Sequence, residues 1–441
     1  MHALQRRTHK SDRVDWEGHG SKSREEKFPG KEDVVPRSVM VKAEEIFDDV
    51  SDPGFGLSRL YEYTEKFEKH SIDTSSARVT KTEMRDALAS VSAPDVEMIK
   101  LAASRIQAYH ERQKPKGFIF DDGRGTAIEE RIIPLQRVGI CIPGGQYPLA
   151  STVLMTAIPA RIAGVKEIVM INPWPQGKMN AHVMAAAHIA GVDEIYKVGG
   201  VQGVAALASG WLGRRMDKIV GPGSIWVTAG KAIAFARGYC GIDSLAGPSE
   251  VVIVADASAN ATWAACDLLS QAEHGSYSWA DLITDSEELI ARVEEALNQL
   301  AQESGEMEWF KQGAGHISAY LLRDEEQMAE AINYIAPEHL EIIVENPRPL
   351  LDRITNAASI FIGPYSPVPA GDYMAGGNHV LPTGGTARFA SPLGVYDFVK
   401  RQSVTTLSAD GLRGIADPVA RFAEIEGLSA HALAVRKRFR P

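Results

Sequence analysis

From about Val138 onward, short apolar runs alternate with alanine-rich helical stretches, and this alternation is the strongest constraint on the fold. Ile168 to Ile171 has the character of a strand, and a helical stretch follows over Asn180 to Ala190. The same order recurs after Glu194 to Val198 and after Lys218 to Val220. Apolar runs separated by helical stretches are typical of a parallel α/β sheet. The sequence therefore predicts three consecutive β-α steps.

A second series of the same kind starts at Val251. Its expected strands are Val251 to Ala255, Asp281 to Thr284, Tyr320 to Leu322 and Ile360 to Ile362. A helix is expected over Ala259 to Glu273, a helical region over Ser38 to Gln113, and a helical tail over Asp417 to Arg440. We therefore predict an α/β protein in which two open Rossmann-like parallel sheets face each other across a cleft at their strand ends.

These elements divide the 441 residues into four parts. Residues 1–35 form a polar arm, which we expect to be poorly ordered. Residues 36–140 and 251–393 form one discontinuous α/β domain that includes the N-terminal helices. Residues 141–250 form the second α/β domain, and residues 394–441 form a helical tail expected to pack on a partner subunit.

The charge of the chain limits the partners it can have. Its 57 acidic and 47 basic residues give a net charge of -10, which disfavours binding to nucleic acid. No run of about 18 apolar residues is present, so we expect no membrane-spanning helix. Cys141, Cys240 and Cys266 form no CxxC pair, which indicates a reducing, cytoplasmic location without a thiolate metal site. A small-molecule substrate is the favoured interpretation.

Two short segments carry side chains suited to catalysis. Gln271 and His274 are three residues apart, so on a helix both can reach one ion. The same segment can also be an ordinary helix end, with Gly275 as its left-handed stop. Glu338 and His339 are adjacent, so on a helix they point about 100° apart and can address different atoms of one substrate. An ordinary helix start at the preceding proline explains this second segment equally well.

Two further segments combine an acid with a histidine. The glycine-rich stretch from Gly371 to His379 follows an expected strand and contains Asp372. Long loops at strand ends serve a site more often than a core, although Asp372 is also suited to capping a turn. On the tail, His431 follows Glu426 by five residues, and taken alone the two are typical of a solvated helix face.

The usual dinucleotide fingerprint is missing, because no GxGxxG follows an expected strand. Tight glycine turns occur at three strand ends instead: Pro143-Gly144-Gly145, Gly199-Gly200-Val201-Gln202 and Gly221-Pro222-Gly223-Ser224. Such turns let backbone amides come close to an anionic or flat ligand. Ordinary β-α turn chemistry explains any one of them, but explains three together less well.

Taken together, these segments resemble the histidinol dehydrogenase family, zinc enzymes that oxidise L-histidinol through the aldehyde to L-histidine with two NAD. The resemblance begins near His110 to Gln113 and continues in the same order through nine motifs. These are Cys141-Ile-Pro-Gly-Gly, Val198-Gly-Gly-Val-Gln202, Val220-Gly-Pro-Gly, Ala246-Gly-Pro-Ser-Glu250, Gln271-Ala-Glu-His274, Ala336-Pro-Glu-His-Leu340, Gly371-Asp-Tyr, Asn378-His-Val-Leu-Pro-Thr383 and Glu426-Gly-Leu with His431.

The resemblance implies a role for each matching residue. Zinc would be bound by Gln271, His274, Asp372 and His431, a set without thiolate that suits a catalytic ion. His339 would act on the alcohol proton in each oxidation, and Glu338 would activate the water that attacks the aldehyde. The substrate would be held by Ser249, Gln271, His274, His339, Asp372, His379, Glu426 and His431. NAD would contact Cys141, Gln202 and Ser224, which places it on the 141–250 domain.

The resemblance also implies a homodimer in which the tail supplies Glu426 and His431 to the neighbouring active site. The chain departs from the family pattern at Cys141, where tyrosine is common, and at Ser224, where asparagine is common. Its early helical region has Val50-Ser-Asp-Pro-Gly54 in place of the usual Arg-x-Gly-Asp, so the resemblance covers that region only loosely.

Three alternatives remain at this point. A related zinc- and NAD-dependent enzyme could oxidise another small alcohol, such as a sulfonated propanediol. A binding protein could keep the fold without catalysis, although every expected ligand and acid/base residue is present. Thiol catalysis through Cys141, as in aldehyde dehydrogenases, is disfavoured because no base beside this cysteine can be identified.

Overall fold

The structure is a computed structural model that describes residues 5–8, 35–144, 148–274, 278–303 and 316–439. Gly145 and Gly275, which belong to two of the sequence motifs, lie outside these ranges. The described chain opens with the elements β1 (Gln5–Thr8), α1 (Arg37–Ser51), α2 (Gly56–Glu68), α3 (Lys81–Ser90), α4 (Ala93–His110), β2 (Phe118–Asp121) and β3 (Thr126–Pro134).

Local sequence explains where these helices begin. Helix α3 starts with a capping box, in which the Thr80 hydroxyl accepts the Glu83 amide and the Glu83 carboxylate accepts the Thr80 amide. Helix α4 starts at Ser92, whose hydroxyl accepts the amide of Asp95. Buried apolar residues then recur at three- to four-residue steps, so each helix has one face for packing.

A five-stranded parallel sheet forms the first α/β unit, with strand order β6-β5-β4-β7-β8. Its elements are β4 (Arg137–Cys141), α5 (Ala150–Ala163), β5 (Glu167–Ile171), α6 (Ala181–Ala190), β6 (Glu194–Tyr196), α7 (Gly200–Ser209), β7 (Lys218–Val220), α8 (Ile225–Ala236) and β8 (Gly241–Ile242). The strand order reverses between β4 and β7. In such sheets a crevice opens at this point, beyond the carboxyl ends of the strands.

A six-stranded parallel sheet forms the second unit, with strand order β1-β11-β10-β9-β12-β13. Its elements after β1 are β9 (Glu250–Ala255), α9 (Ala261–Ala272), β10 (Trp279–Thr284), α10 (Glu287–Glu303), β11 (Ile317–Leu321), α11 (Glu325–Ile335), β12 (His339–Ile343), α12 (Pro347–Leu351) and β13 (Ser359–Ile362). Strands β9 to β13 follow the same order as β4 to β8. The two parallel α/β units expected from the sequence are confirmed, and both arrange their strands in the same topological order.

Strand β12 corrects one local expectation. The sequence suggested a helix start at Pro337, but α11 ends at Ile335, Ala336 follows in a left-handed conformation, and a strand begins at His339. The strand residues are fully buried, so pairing with β9 and β13 decides their conformation. Glu338 and His339 therefore differ in direction because they stand at the start of a strand.

The N-terminal helices pack on the five-stranded unit. Helix α1 contacts α7 and α8, α3 contacts α6, and α4 contacts α5 and α6. The chain returns to this unit after β13, where Val380, Leu393 and Phe398 join the same apolar core. This packing differs from the expected grouping of residues 36–140 and 251–393, which places these segments with the other sheet. Within the polar arm, β1 pairs in parallel with β11.

The C-terminal part contains a strand as well as helices. Beyond helix α13 (Val368–Ala370), β14 (Val399–Leu407) pairs antiparallel with β3, and β3 pairs with β2. A helical hairpin follows, with α14 (Ala409–Ile425) and α15 (Ser429–Arg436). The large apolar side chains of Ile415, Val419 and Phe422 lie exposed along α14. No helix among the described residues is long and apolar enough to cross a membrane.

Arg137 ties three strands together at the amino edge of the five-stranded sheet. Its buried guanidinium donates to Glu167 Oε2 at 2.7 Å, to Glu194 Oε2 at 3.3 Å and to the carbonyl of Leu212 at 2.9 Å. These carboxylates begin β5 and β6, so a single cation bridges the two strands, and Arg78 also pairs with Glu194 at 3.3 Å. Arg214 also reaches Glu167, but its side chain is 68% exposed.

We expect Arg137→Met to lower the free energy of unfolding by roughly 1–3 kcal/mol, because it removes the buried donor that joins Glu167, Glu194 and the carbonyl of Leu212. Arg214→Met is the matched control and should cost under about 1 kcal/mol, since exposed ion pairs contribute little. Denaturant titration followed by circular dichroism measures both. Equal losses in the two variants would contradict the role given to Arg137.

Candidate active site

The expected cleft lies between two unlike sheet edges. A cavity of about 490 Å³ is lined by the carboxyl-end turns of the five-stranded sheet, including Gly144, Gly199 and Ser224, and also by His274. His274 connects α9 to β10, so it lies at the amino edge of the six-stranded sheet. The cavity therefore joins the switch point of one sheet to the amino edge of the other.

Two glutamates bind each other's backbone at this amino edge. Glu250 begins β9, and its amide donates to Glu338 Oε2 at 3.0 Å. The amide of Glu338 donates in return to Glu250 Oε1 at 3.1 Å. Both side chains are buried, and burial raises the pKa of Glu250 to about 8 and that of Glu338 to about 7. The nearby Glu338 charge adds to the shift of Glu250.

His339 has one ring nitrogen paired and the other free of hydrogen bonds. Its Nδ1 lies 3.2 Å from the carbonyl oxygen of Glu250, and since a carbonyl only accepts, Nδ1 carries the proton in this contact. Its Nε2 is buried, has no hydrogen-bond partner and lies 3.8 Å from Asp372 Oδ1. A neutral His339 in this tautomer presents an unshared electron pair at Nε2, as a general base must.

The charges around His339 decide its protonation. Burial lowers the pKa of His339, but the carboxylates of Glu338 and Asp372 outweigh burial and raise that pKa to about 9. Burial also acts on Asp372, yet the neighbouring His339, His379 and His274 hold the pKa of Asp372 below its ordinary value. A cation bound by Asp372 would cancel part of this negative charge and bring His339 closer to neutrality.

His379 is fixed by hydrogen bonds on both sides of its ring. Nδ1 donates to the carbonyl oxygen of Asp372 at 2.9 Å, and Nε2 accepts the hydroxyl of Thr152 at 3.1 Å. Burial lowers the pKa of His379, so the neutral ring is favoured. In this arrangement His379 orients the Asp372 backbone, and its contact with Thr152 ties the segment that contains Asp372 to α5 of the five-stranded unit.

Three of the four expected zinc ligands belong to this edge. Gln271 lies in the last turn of α9, three residues before His274. The charge of His274 acts on Asp372, so these two side chains are neighbours. The amide of Gln271 is buried, and its Nε2 has no hydrogen-bond partner. A buried amide without a partner costs about 1–3 kcal/mol of folding free energy. Since the side-chain amide can be turned over so that its nitrogen and oxygen exchange places, the oxygen of Gln271 can serve as the ligand. This donor set fits Zn²⁺.

The fourth expected ligand lies elsewhere in the single chain. His431 and Glu426 are exposed on the C-terminal hairpin, and α15 packs on α14. Within the part of the chain that the structure describes, no three His, Cys, Asp or Glu side chains converge on one metal position. Gln271, the third expected ligand at this edge, is a glutamine and does not belong to those four residue types. Of the expected ligands that do, only His274 and Asp372 lie near each other in the single chain.

A buried ion pair shapes the glycine turn that follows β7. Lys231 Nζ contacts Asp243 Oδ1 at 2.5 Å and donates to the carbonyl of Gly221 at 3.0 Å. The amide of Gly221 donates to Asp243 Oδ2 at 2.7 Å. Gly221 has φ +108°, and a Cβ there would lie 2.4 Å from the Cys141 carbonyl, so only glycine fits. The turn is thereby held against the end of β4.

The three residues expected to contact NAD lie along this side of the cleft. Cys141 ends β4 and lines the cavity, but burial raises the pKa of its thiol to about 12, which makes it a poor nucleophile. Ser224 is exposed, precedes α8 and makes no capping bond with its side chain. Gln202 is buried and lines a neighbouring cavity of about 590 Å³, in which Ser224 and Trp226 also take part.

Two residues near the site were not predicted from the sequence. Glu250 stands in the Ala246-to-Glu250 motif, but nothing in its sequence context shows that it pairs with Glu338. Glu68 lies in the loosely matched helical region and accepts a hydrogen bond from Gly199, 131 residues away. Ser249, a predicted substrate contact, precedes β9 and therefore lies at the same amino edge as Glu250.

Comparison with known proteins identifies the family of the chain. The family model described as histidinol dehydrogenase matches residues 31–439. The chain is 45% identical over 387 residues to a histidinol dehydrogenase of Syntrophotalea carbinolica, covering 87% of this chain and 89% of the relative. It is 44% identical over 392 residues to one of Geobacter sulfurreducens, covering 87% and 90%. A crystal structure of histidinol dehydrogenase from Elizabethkingia anophelis superposes with a TM-score of 0.88 at 33% identity, covering 100% of this chain and 99% of the other. The chain belongs to the histidinol dehydrogenase family.

Proposed function

We propose that this protein oxidises L-histidinol through L-histidinaldehyde to L-histidine, with two NAD and one zinc ion, in active sites completed by a second copy of the chain. As a member of its family it is an NAD-dependent oxidoreductase. The observation that carries the proposal is the buried, unpartnered Nε2 of His339 beside Asp372. This geometry supplies a base beside one of the residues that would hold the metal ion.

In the alcohol step, His339 accepts the hydroxyl proton at Nε2 while hydride leaves the carbon. The carbonyl of Glu250 holds the Nδ1 proton, so the ring stays in the required tautomer as the imidazolium forms. Glu338 Oε2 lies 3.6 Å from Nδ1 and stabilises that positive charge. Zinc, when bound, would polarise the alcohol oxygen and make its proton easier to remove.

In the aldehyde step, a water molecule must be made nucleophilic. Burial raises the pKa of Glu338 to about 7, which makes its carboxylate a stronger proton acceptor than an exposed one and suits it to act as a base near neutral pH. Its backbone is fixed by Glu250, so the carboxylate has a defined position at the start of β12. His339 again accepts the proton of the hydrated aldehyde as the second hydride leaves.

The zinc site is proposed from Gln271, His274 and Asp372, with His431 of the partner subunit. The buried unpaired amide of Gln271 and the histidine-surrounded Asp372 support the first three ligands. Nitrogen and oxygen donors of this kind suit a catalytic zinc with an open position. Glu426 of the partner subunit would contact the substrate along with Ser249 and His379.

An apolar face on the C-terminal hairpin supports the dimer. Ile415, Val419, Phe422 and Ile425 are spaced by three or four residues along α14, and Phe422 and Ile425 are 66% and 68% exposed. A contiguous apolar surface of this kind indicates a protein interface. The net charge of -10 disfavours nucleic acid as the partner. We further propose a cytoplasmic location, since all three cysteines are unpaired.

We expect zinc to be required for turnover. Chelation should abolish NADH formation, and Gln271→Ala and Asp372→Ala should lower the zinc content measured by elemental analysis. Gln299→Ala, at an exposed position on α10, should retain full zinc. Full activity in a preparation verified to be free of metal would refute the requirement.

We expect the active sites to be shared between two subunits. Mixing His431→Ala with His274→Ala, each inactive alone, should restore up to about one quarter of wild-type activity, because half of the dimers are hybrids with one intact site each. Mixing His274→Ala with Asp372→Ala is the control and should restore nothing, since both residues belong to the same half-site. No recovery after proven subunit exchange would count against sharing.

We expect Glu338→Gln to slow the aldehyde step far more than the alcohol step, by about 10²–10⁴-fold, because only the second oxidation needs an activated water. Single-turnover measurements should then show about one NADH per site formed before a slow phase. Glu345→Gln, an exposed control beyond the end of β12, should behave as wild type. If Glu338→Gln slows both steps equally, the assigned role is wrong.

A further inference from the structure

Glu68 is a buried carboxylate that joins the N-terminal helices to the glycine turn before α7. It is the last residue of α2 and is only 9% exposed. Its Oε1 accepts the amide of Gly199 at 2.8 Å and the side-chain amide of Gln202 at 3.4 Å. Its Oε2 accepts the amide of Trp174 at 3.3 Å. One carboxylate therefore binds the loops that follow both β5 and β6.

One of these bonds satisfies a backbone amide at the start of α7. Gly199 precedes the helix and has no side chain, so it cannot supply the usual capping oxygen. The start of a helix favours a negative charge and often holds a ligand phosphate. Here the Glu68 carboxylate accepts the Gly199 amide and places an acidic group at this helix start.

The same contacts fix the direction of Gln202. Gly200 has φ +60°, and a Cβ at that position would lie 2.5 Å from Gln202 Oε1, so the turn and the glutamine side chain are packed tightly together. The Gln202 amide donates to Glu68, and both residues line the 590 Å³ cavity beside Ser224. A shift of the Glu68 carboxylate would thus move both the turn and Gln202.

Burial makes this position costly for a carboxylate without donors. It raises the pKa of Glu68 to about 7, although the amides of Gly199 and Trp174 and the side chain of Gln202 act in the opposite direction. A buried carboxylate destabilises the fold unless hydrogen-bond donors such as these compensate for its lost hydration. The contacts are all with the loops that border the cofactor side of the cleft.

We infer that Glu68 is a positioning residue for NAD, holding the Gly199–Gln202 turn and the Gln202 side chain in the geometry that receives the cofactor. The inference rests on the proposed function, because it takes this side of the cleft as the NAD site. It also implies that the backbone amide of Gly199, which already donates to Glu68, is not available to the pyrophosphate of NAD.

The test compares NADH binding, measured by fluorescence titration, in the full-length zinc-loaded protein and in three variants. Glu68→Gln keeps the shape but can turn an NH₂ group toward the Gly199 amide, and we expect its Kd for NADH to rise about 10-fold or more. Glu68→Asp keeps the charge with a shorter reach and should show a smaller rise. Glu65→Gln, exposed on the same helix, should bind as wild type.

Two further readouts separate positioning from general damage. Hydrogen exchange of the amides at 199–203 should quicken in Glu68→Gln, while exchange in β4, β5 and α6 stays unchanged. The KM for NAD should rise, with kcat and the KM for histidinol unchanged. If Glu68→Gln does not fold, the Glu68→Asp variant decides by the same measurements.

The outcomes are distinct. Wild-type affinity in Glu68→Gln, or in Glu68→Asp where that variant decides, overturns the inference, as does faster exchange spread evenly over the whole five-stranded unit. Failure of the wild-type protein to bind NADH would instead contradict the proposed function itself. Weaker NADH binding together with local loosening of the turn supports the positioning role.

Discussion

The reciprocal bonding of Glu250 and Glu338 is the contact on which the proposed catalytic edge depends. Each side chain accepts the other's backbone amide, so the starts of β9 and β12 are joined before the strand ladder begins. The carbonyl of Glu250 then orients His339. Burial raises the pKa of both carboxyl groups, and the charge of Glu338 adds to the shift of Glu250. One pairing therefore fixes the backbone and the imidazole tautomer, while burial sets the basicity of the two acids.

The two sheets share their winding but contribute opposite edges to the cleft. The five-stranded sheet follows the usual rule, with its glycine turns beyond the carboxyl ends of β4 and β7. The six-stranded sheet uses its amino edge, where Glu338, His339 and His274 lie. A cofactor on the first edge and a substrate on the second can then meet across the cavity. The two α/β units therefore have the same strand order but face the cleft with opposite ends of their strands.

The sequence predicted the α/β architecture well, because buried strands have an apolar pattern that depends little on tertiary context. It misread the start of β12 as a helix, since Pro337 and Glu338 are also common at helix starts and strand pairing decided the outcome. It did not predict β14, whose mostly exposed polar residues carry no strand signal without their partner β3. The candidate residues followed from ordered motifs and the resemblance. The tautomer of His339 and the contacts of Glu68 depend on residues distant in sequence, so only the fold reveals them.

At the carboxyl edge of the six-stranded sheet, the crevice between β9 and β12 is closed by the chain itself. Asp256 accepts the amide of Glu345 at 2.7 Å and that of Ser258 at 2.9 Å. Because the proposed chemistry lies at the opposite edge, the short connections on this side have only structural roles. Insertions near residues 285–286 or 322–324 would meet no catalytic constraint. The edge that most enzymes of this architecture reserve for ligands is thus the natural place to attach a tag, a fluorophore or a second domain.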